Sequence, residues 1–291
     1  MERLKPLNDY LFQKLMGEKG DEEQLLSFLN AVLKRTGRDQ LQSVEILENK
    51  TFTPEIIGNK ASILDGRAIT NRGEKVNIEV QLKDLHNMGK RDLVYWSREY
   101  LKDLAAGDDY NTLPKVITIT IVNFDYIPLE SYHTSFHLRE DKTPDFILTD
   151  VLEIHFINMA KFRLLEKKDI QNDLLDRWMS FFDETTPEET LQEVITMDTT
   201  IQKANAKMQF LSNDKETLRM YHLREMGMSD YTTAINTAME KGEAKGEAKG
   251  EVKGKFEVAR NGLAKGYPIE TLSDLTGLPL ETIKKLASNG K

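Results

Sequence analysis

Cysteine is absent from the 291 residues, so disulfides, thiolate metal sites and cysteine nucleophiles are excluded. Long apolar runs are missing too: none approaches the ~20 residues of a membrane span. The opening Met1-Glu2-Arg3-Leu4-Lys5-Pro6 lacks the apolar core of a signal peptide, so a cytoplasmic protein with no membrane partner is expected. Basic charge is in the minority, with 40 Lys and Arg against 48 Asp and Glu and a net charge of −8. That balance argues against a general nucleic-acid coat, although a local basic surface can still bind phosphate. No Walker-type loop, Gly-x-Gly-x-x-Gly fingerprint or Gly-x-Ser-x-Gly elbow occurs, so nucleotide cofactors and serine hydrolase chemistry have no support. Histidines number five. His133 and His137 are four apart in a segment that reads as loop and strand, which disfavours helical zinc ligation. His155 reads as a strand residue facing solvent or satisfied in a core.

What is present is a globular composition, 39% hydrophobic and 30% charged, in a length suited to about two domains. Apolar spacing predicts two helices over 7–33, with Asn8 or Asp9 capping the first and Asp21 the second. Strand patterns follow at Val44 and Ile46, over 61–70 and over 75–82. A helix is expected over about 86–105, then a buried strand over Lys115-Val-Ile-Thr-Ile-Thr-Ile-Val122. Further strands are expected over 135–139 and 151–157. Beyond Ala160 the pattern is helix after helix. The Lys-Gly-Glu-Ala repeat from Lys241 is either a weak helix or a charged linker, since each interior glycine costs a helix ~1 kcal/mol. The tail has the pattern of a small helix-turn-helix pair. The resulting division is an α/β domain over 1–160, a helical region over 161–240, the repeat over 241–255 and a helical pair over 256–291.

The stretch that bears chemistry lies on either side of Asn71-Arg72-Gly73. Lys75 to Lys83 alternates, with Val76, Ile78, Val80 and Leu82 on one face and Lys75, Asn77, Glu79, Gln81 and Lys83 on the other, the pattern of a half-buried strand. With Gly73 in the left-handed position of a three-residue hairpin loop, Thr70 pairs with Glu74. Asp65 then lies opposite Glu79, and Gly66 and Ala68 lie opposite Ile78 and Val76 on the core face. Two facing carboxylates repel unless neutralised, and a hard divalent ion such as Mg²⁺ or Mn²⁺ does that while polarising a phosphate. Gln81 shares the face of Glu79 and can orient a water. The alternative is that Asp65 and Glu79 pair with Arg67, Lys75 or Lys83 on a solvated face.

These residues, in this order, resemble the PD-(D/E)xK nuclease superfamily and, within it, the Rpn recombination-promoting nucleases, also described as transposases. The resemblance rests on Asn8-Asp9-Tyr-Leu-Phe12-Gln-Lys14, Leu64-Asp65-Gly-Arg-Ala, Ile78-Glu79-Val-Gln81, Lys90-Arg91-Asp-Leu-Val-Tyr95 and the 116–124 strand. It implies a restriction-endonuclease-like α/β fold, a mixed β-sheet flanked by helices with a mainly helical C-terminal region. It also implies a Mg²⁺-dependent (or Mn²⁺-dependent) DNA endonuclease in which Asp65 and Glu79 hold the metal. Gln81 stands where the superfamily motif has lysine, so another cation is expected to substitute, with Lys14, Lys60 and Lys83 as candidates. Asp9 would ligate a second metal, position Lys14 or cap its helix. Arg91 and Tyr95 share a helix face at i,i+4. With Lys90 they would contact DNA phosphate, whereas read alone they suit a core aromatic and solvated cations. Cutting both strands calls for two sites, hence a homodimer or an assembly on DNA. A non-cleaving DNA-binding or regulatory protein on the same scaffold is the rival reading.

Overall fold

A computed structural model describes residues 3–47, 66–84 and 87–288. They form two compact units, Met1–Gly227 and Met228–Lys291. The first begins with two helices, α1 (Asp9–Met16) and α2 (Glu22–Val32). Of the two candidate caps on α1, Asn8 is the one used: its side chain accepts from the Leu11 amide at 3.3 Å. Asp21 stands at the N-cap of α2 without a side-chain capping bond.

Among the described residues six strands follow: β1 (Val44–Ile46), β2 (Gly66–Thr70), β3 (Lys75–Gln81), β4 (Val116–Val122), β5 (His133–Arg139) and β6 (Ile147–Asn158). They make one mixed sheet in the order β1-β2-β3-β4-β6-β5. The β3–β4 and β4–β6 pairs are parallel and the other three antiparallel. A parallel pair needs a crossover, and between β3 and β4 that crossover contains α3 (Met88–Leu101). The β2–β3 turn forms as the sequence predicts. Gly73 takes φ 75°, the Thr70 amide donates to the Glu74 carbonyl at 2.9 Å, and Gly66 and Ala68 pair with Ile78 and Val76. The expected pairing of Asp65 with Glu79 lies outside the described residues, as does Lys60.

β3 is more buried than its pattern predicts. The alternation suggests a half-buried strand, yet Asn77 and Glu79 are buried as completely as Val76 and Ile78. The physical reason is position: β3 sits between β2 and β4 in mid-sheet, and α3 packs over its polar face. On the opposite face Val76, Ile78 and Val80 join Ile117, Ile119 and Ile121 in the main core, with Phe12 and Phe28 from α1 and α2.

Five helices follow the sheet within or starting in the first unit: α4 (Met159–Arg163), α5 (Leu174–Phe182), α6 (Glu188–Met197), α7 (Thr199–Asn213) and α8 (Lys215–Ala264). Trp178, Phe181 and Phe182 of α5 and Val194 of α6 belong to the same core as the strands, so that core runs continuously past Ala160. The Lys-Gly-Glu-Ala repeat is helical throughout and lies inside α8. In the second unit α9 (Ile269–Thr276) and α10 (Leu280–Ser288) pack together. Leu272 of α9 lies so close to Gly262 of α8 that a Cβ there would collide with it. Among the described residues no helix is long and apolar enough to cross a membrane.

Candidate active site

The C-terminal half of β3 presents Glu79 and Gln81 to α3, because the two-residue period that turns Ile78 and Val80 into the core turns these the other way. From α3 Arg91 meets them. One guanidinium nitrogen, Nη2, donates to Glu79 Oε1 at 2.6 Å and to the Tyr95 hydroxyl at 2.9 Å, while Nη1 reaches Gln81 Oε1 at 3.4 Å. The guanidinium also lies 5.6 Å from the centre of the Tyr95 ring. Gln81 donates its amide to the Lys83 carbonyl at 2.8 Å, which leaves Oε1 facing Arg91. Burial works against the charge on Arg91, but Glu79 and the Tyr95 hydroxyl outweigh it and hold its pKa above the ordinary arginine value. The sequence-predicted residues Glu79, Gln81, Arg91 and Tyr95 are thus brought together. Lys90 is exposed on α3.

Asp9 and Lys14 have other partners. Asp9 is bonded by both Nε and Nη2 of Arg224, near the start of α8, the first at 2.8 Å. Lys14 pairs with Glu18 at 2.6 Å. The pKa of Lys83 is lowered by burial, with the charge of Arg224 adding to the effect.

Beside Glu79 stands a carboxyl that sequence reasoning missed. Asp92 of α3 is fully buried, and its Oδ1 accepts from Thr120 Oγ1 at 3.0 Å. Thr120 is the register partner of Glu79 across the β3–β4 pair. Burial first, with the Glu79 charge in support, pushes the Asp92 pKa up to about 7 against the opposing Thr120 bond and Arg91 charge. Its Oδ2 has no hydrogen-bond partner among the described residues, and neither do Asn77 Nδ2 and Thr118 Oγ1 on the same face. A signal for Asp92 exists in the sequence: Met88, Asp92 and Glu99 are the buried positions of α3, and their spacing of four and seven puts two acids on one inward stripe.

The opposite face of the sheet carries a second ionic cluster. Glu153 of β6 accepts from Lys115 at 2.5 Å and bonds His155 at 2.7 Å. His155 in turn bonds His133 of β5 at 2.9 Å. Burial opposes the Glu153 charge, but the His155 and Lys115 bonds prevail and hold its pKa at about 2. Burial, aided by the charges of His155 and Lys34, pushes His133 down to about 4. His155 is therefore satisfied in a core, one of its two expected settings.

Among the described residues no three His, Asp or Glu side chains converge as a metal cage. The donors near Arg91 are nevertheless all oxygen, from Glu79, Gln81 and the orphaned Asp92 Oδ2, which is the chemistry of a hard divalent ion rather than of zinc. Asp65 lies outside the described residues. A family model described as PD-(D/E)XK nuclease family transposase matches residues 6–238. No curated protein and no solved structure matches the chain.

Proposed function

The chain belongs to the PD-(D/E)XK nuclease family transposases, and from that premise we propose that it is a divalent-metal-dependent DNA endonuclease. The observation that carries this reading is the meeting of Glu79, Gln81, Arg91 and Tyr95 under α3. Asp65 and Glu79 are the residues to hold Mg²⁺ or Mn²⁺. An ion bound there supplies positive charge to the phosphate and makes a bound water more acidic.

Gln81 cannot carry the charge of the lysine it replaces. Arg91 supplies that charge, since its guanidinium reaches both Gln81 and Glu79. It keeps its proton throughout and so stabilises developing phosphate charge without acting as a base. Tyr95 holds the guanidinium in place, and Lys90 adds a further cation for the DNA backbone. Gln81 accepts or donates a hydrogen bond to orient the attacking water. Asp9, on α1, acts through Arg224 of α8, whose guanidinium it fixes. Cleavage of both strands requires two such sites, met by a homodimer or by assembly on DNA. Light scattering with DNA present checks that expectation, and a monomer under all conditions would refute it.

The test is incubation with supercoiled plasmid in Mg²⁺, Mn²⁺ or EDTA, beside Asp65→Ala and Glu79→Ala proteins checked for folding by circular dichroism. Metal-dependent nicking or linearisation, lost in both variants, is the expected outcome. A folded wild-type protein that shifts DNA on a gel without cutting it would instead favour the regulatory reading, which the glutamine at 81 supports.

A further inference from the structure

Aspartate is almost never fully buried unless something pairs with it, because taking a carboxylate out of water is costly. Asp92 is 0% exposed, and among the described residues its one hydrogen bond comes from a neutral hydroxyl, Thr120 Oγ1, on Oδ1. Oδ2 is buried without a partner among the described residues. A side chain that served packing alone at this place in α3 would be better as leucine or asparagine. The neighbouring acid does not relieve the cost, since Thr120 links Asp92 to the register position of Glu79 and two nearby carboxylates repel.

The arrangement becomes favourable once a dication shares the space. We propose that Asp92 is a positioning residue of the metal centre, holding through Oδ2 a water of the ion bound by Glu79. Mg²⁺ and Mn²⁺ retain most of their waters and take only one or two carboxylates directly. An outer carboxylate that accepts from such a water fixes its orientation, and loss of such an outer partner typically lowers metal affinity about 10- to 100-fold. Thr120 sets the Asp92 rotamer by occupying Oδ1, which leaves Oδ2 for the water. The proposal rests on the assignment of Glu79 as a metal ligand.

Mn²⁺ binding to the full-length protein without DNA, read from the loss of the free-ion electron paramagnetic resonance signal, separates the two. Asp92→Asn keeps the shape and the acceptor for Thr120. It is expected to weaken Mn²⁺ binding about tenfold or more while the melting temperature of the metal-free protein holds or rises. Thr120→Val, which frees the Asp92 rotamer, is expected to weaken binding less, and it carries the test if Asp92→Asn does not fold. Glu79→Gln is expected to abolish binding. If Glu79→Gln abolishes binding while Asp92→Asn and Thr120→Val leave it unchanged, Asp92 is a structural residue and this inference fails alone. If wild-type protein binds no Mn²⁺, or Glu79→Gln binds it normally, the metal assignment falls and the inference with it.

Discussion

Two buried ionic clusters lie on opposite faces of one sheet, and they are built on opposite principles. Around Glu153 the charges close on themselves: Lys115 and His155 bond the carboxylate, and His133 bonds the far side of His155. The acid there is held at about 2. Under α3, Arg91 bridges Glu79, Gln81 and Tyr95, but Asp92, Asn77 and Thr118 each keep a buried polar atom without a partner among the described residues. The acid there is driven up to about 7. A closed cluster stabilises the fold, because each group already has what water offered it. An open one is costly to the folded chain on its own and becomes favourable when something else enters. The difference separates the group that holds β4, β5 and β6 together from the group proposed to act on DNA.

Substitutions on the two faces should have different effects. The largest effect is expected from Glu79→Gln, which should lower metal-dependent cleavage about a thousandfold or more, measured in single-turnover gels. Next, Arg91→Ala should lower cleavage about 100-fold and yet tighten Mn²⁺ binding, because a guanidinium 2.6 Å from Glu79 competes with the ion. Opposite signs in the two readouts distinguish that role from simple damage to the site.

On the closed face Glu153→Gln should cost about 3 kcal/mol in denaturant unfolding, the usual result of breaking a buried pair, with little change in cleavage. Its pH signature follows from the directions of the shifts. Glu153 is depressed from 4.5 to about 2, so its contribution is complete above pH 4.5 and is lost as the pH falls towards 2. His133 is depressed from 6.5 to about 4, so stability also declines as the pH falls through that window, where the unfolded chain takes up the proton first. Glu153→Gln should flatten the lower part of this profile. The smallest effect is expected from Thr118→Val on the open face. Removing a hydroxyl that has no partner among the described residues should leave the melting temperature unchanged or raise stability by up to about 1 kcal/mol.

Much of this was legible in the sequence because local rules agree there. The β-branched run at 116–122 marks a buried strand, while the Gly73 turn and the apolar alternation of β3 point to one register, in which Gly66–Ile78 and Ala68–Val76 pair. The shared face of Arg91 and Tyr95 followed from helical spacing. What the sequence hid depends on which elements lie over one another. The polar face of β3 reads as solvated until α3 is placed on it. Asp92 then passes from an ordinary acid in a basic helix to a buried carboxyl beside Thr120. Arg224 lies more than 200 positions from Asp9 in the chain, so no local pattern could join them. The repeat was ambiguous between helix and linker because its glycines oppose a helix while its charges and alanines permit one.

The most direct test sets Glu79→Gln and Glu153→Gln side by side, measuring plasmid cleavage in Mg²⁺ and the melting temperature of each protein. The expected result is a Glu79→Gln protein that stays folded at the assay temperature and does not cut, and a Glu153→Gln protein that melts earlier and cuts normally below its melting temperature. Cleavage by Glu79→Gln at the wild-type rate, or loss of cleavage by a folded Glu153→Gln protein, would contradict it.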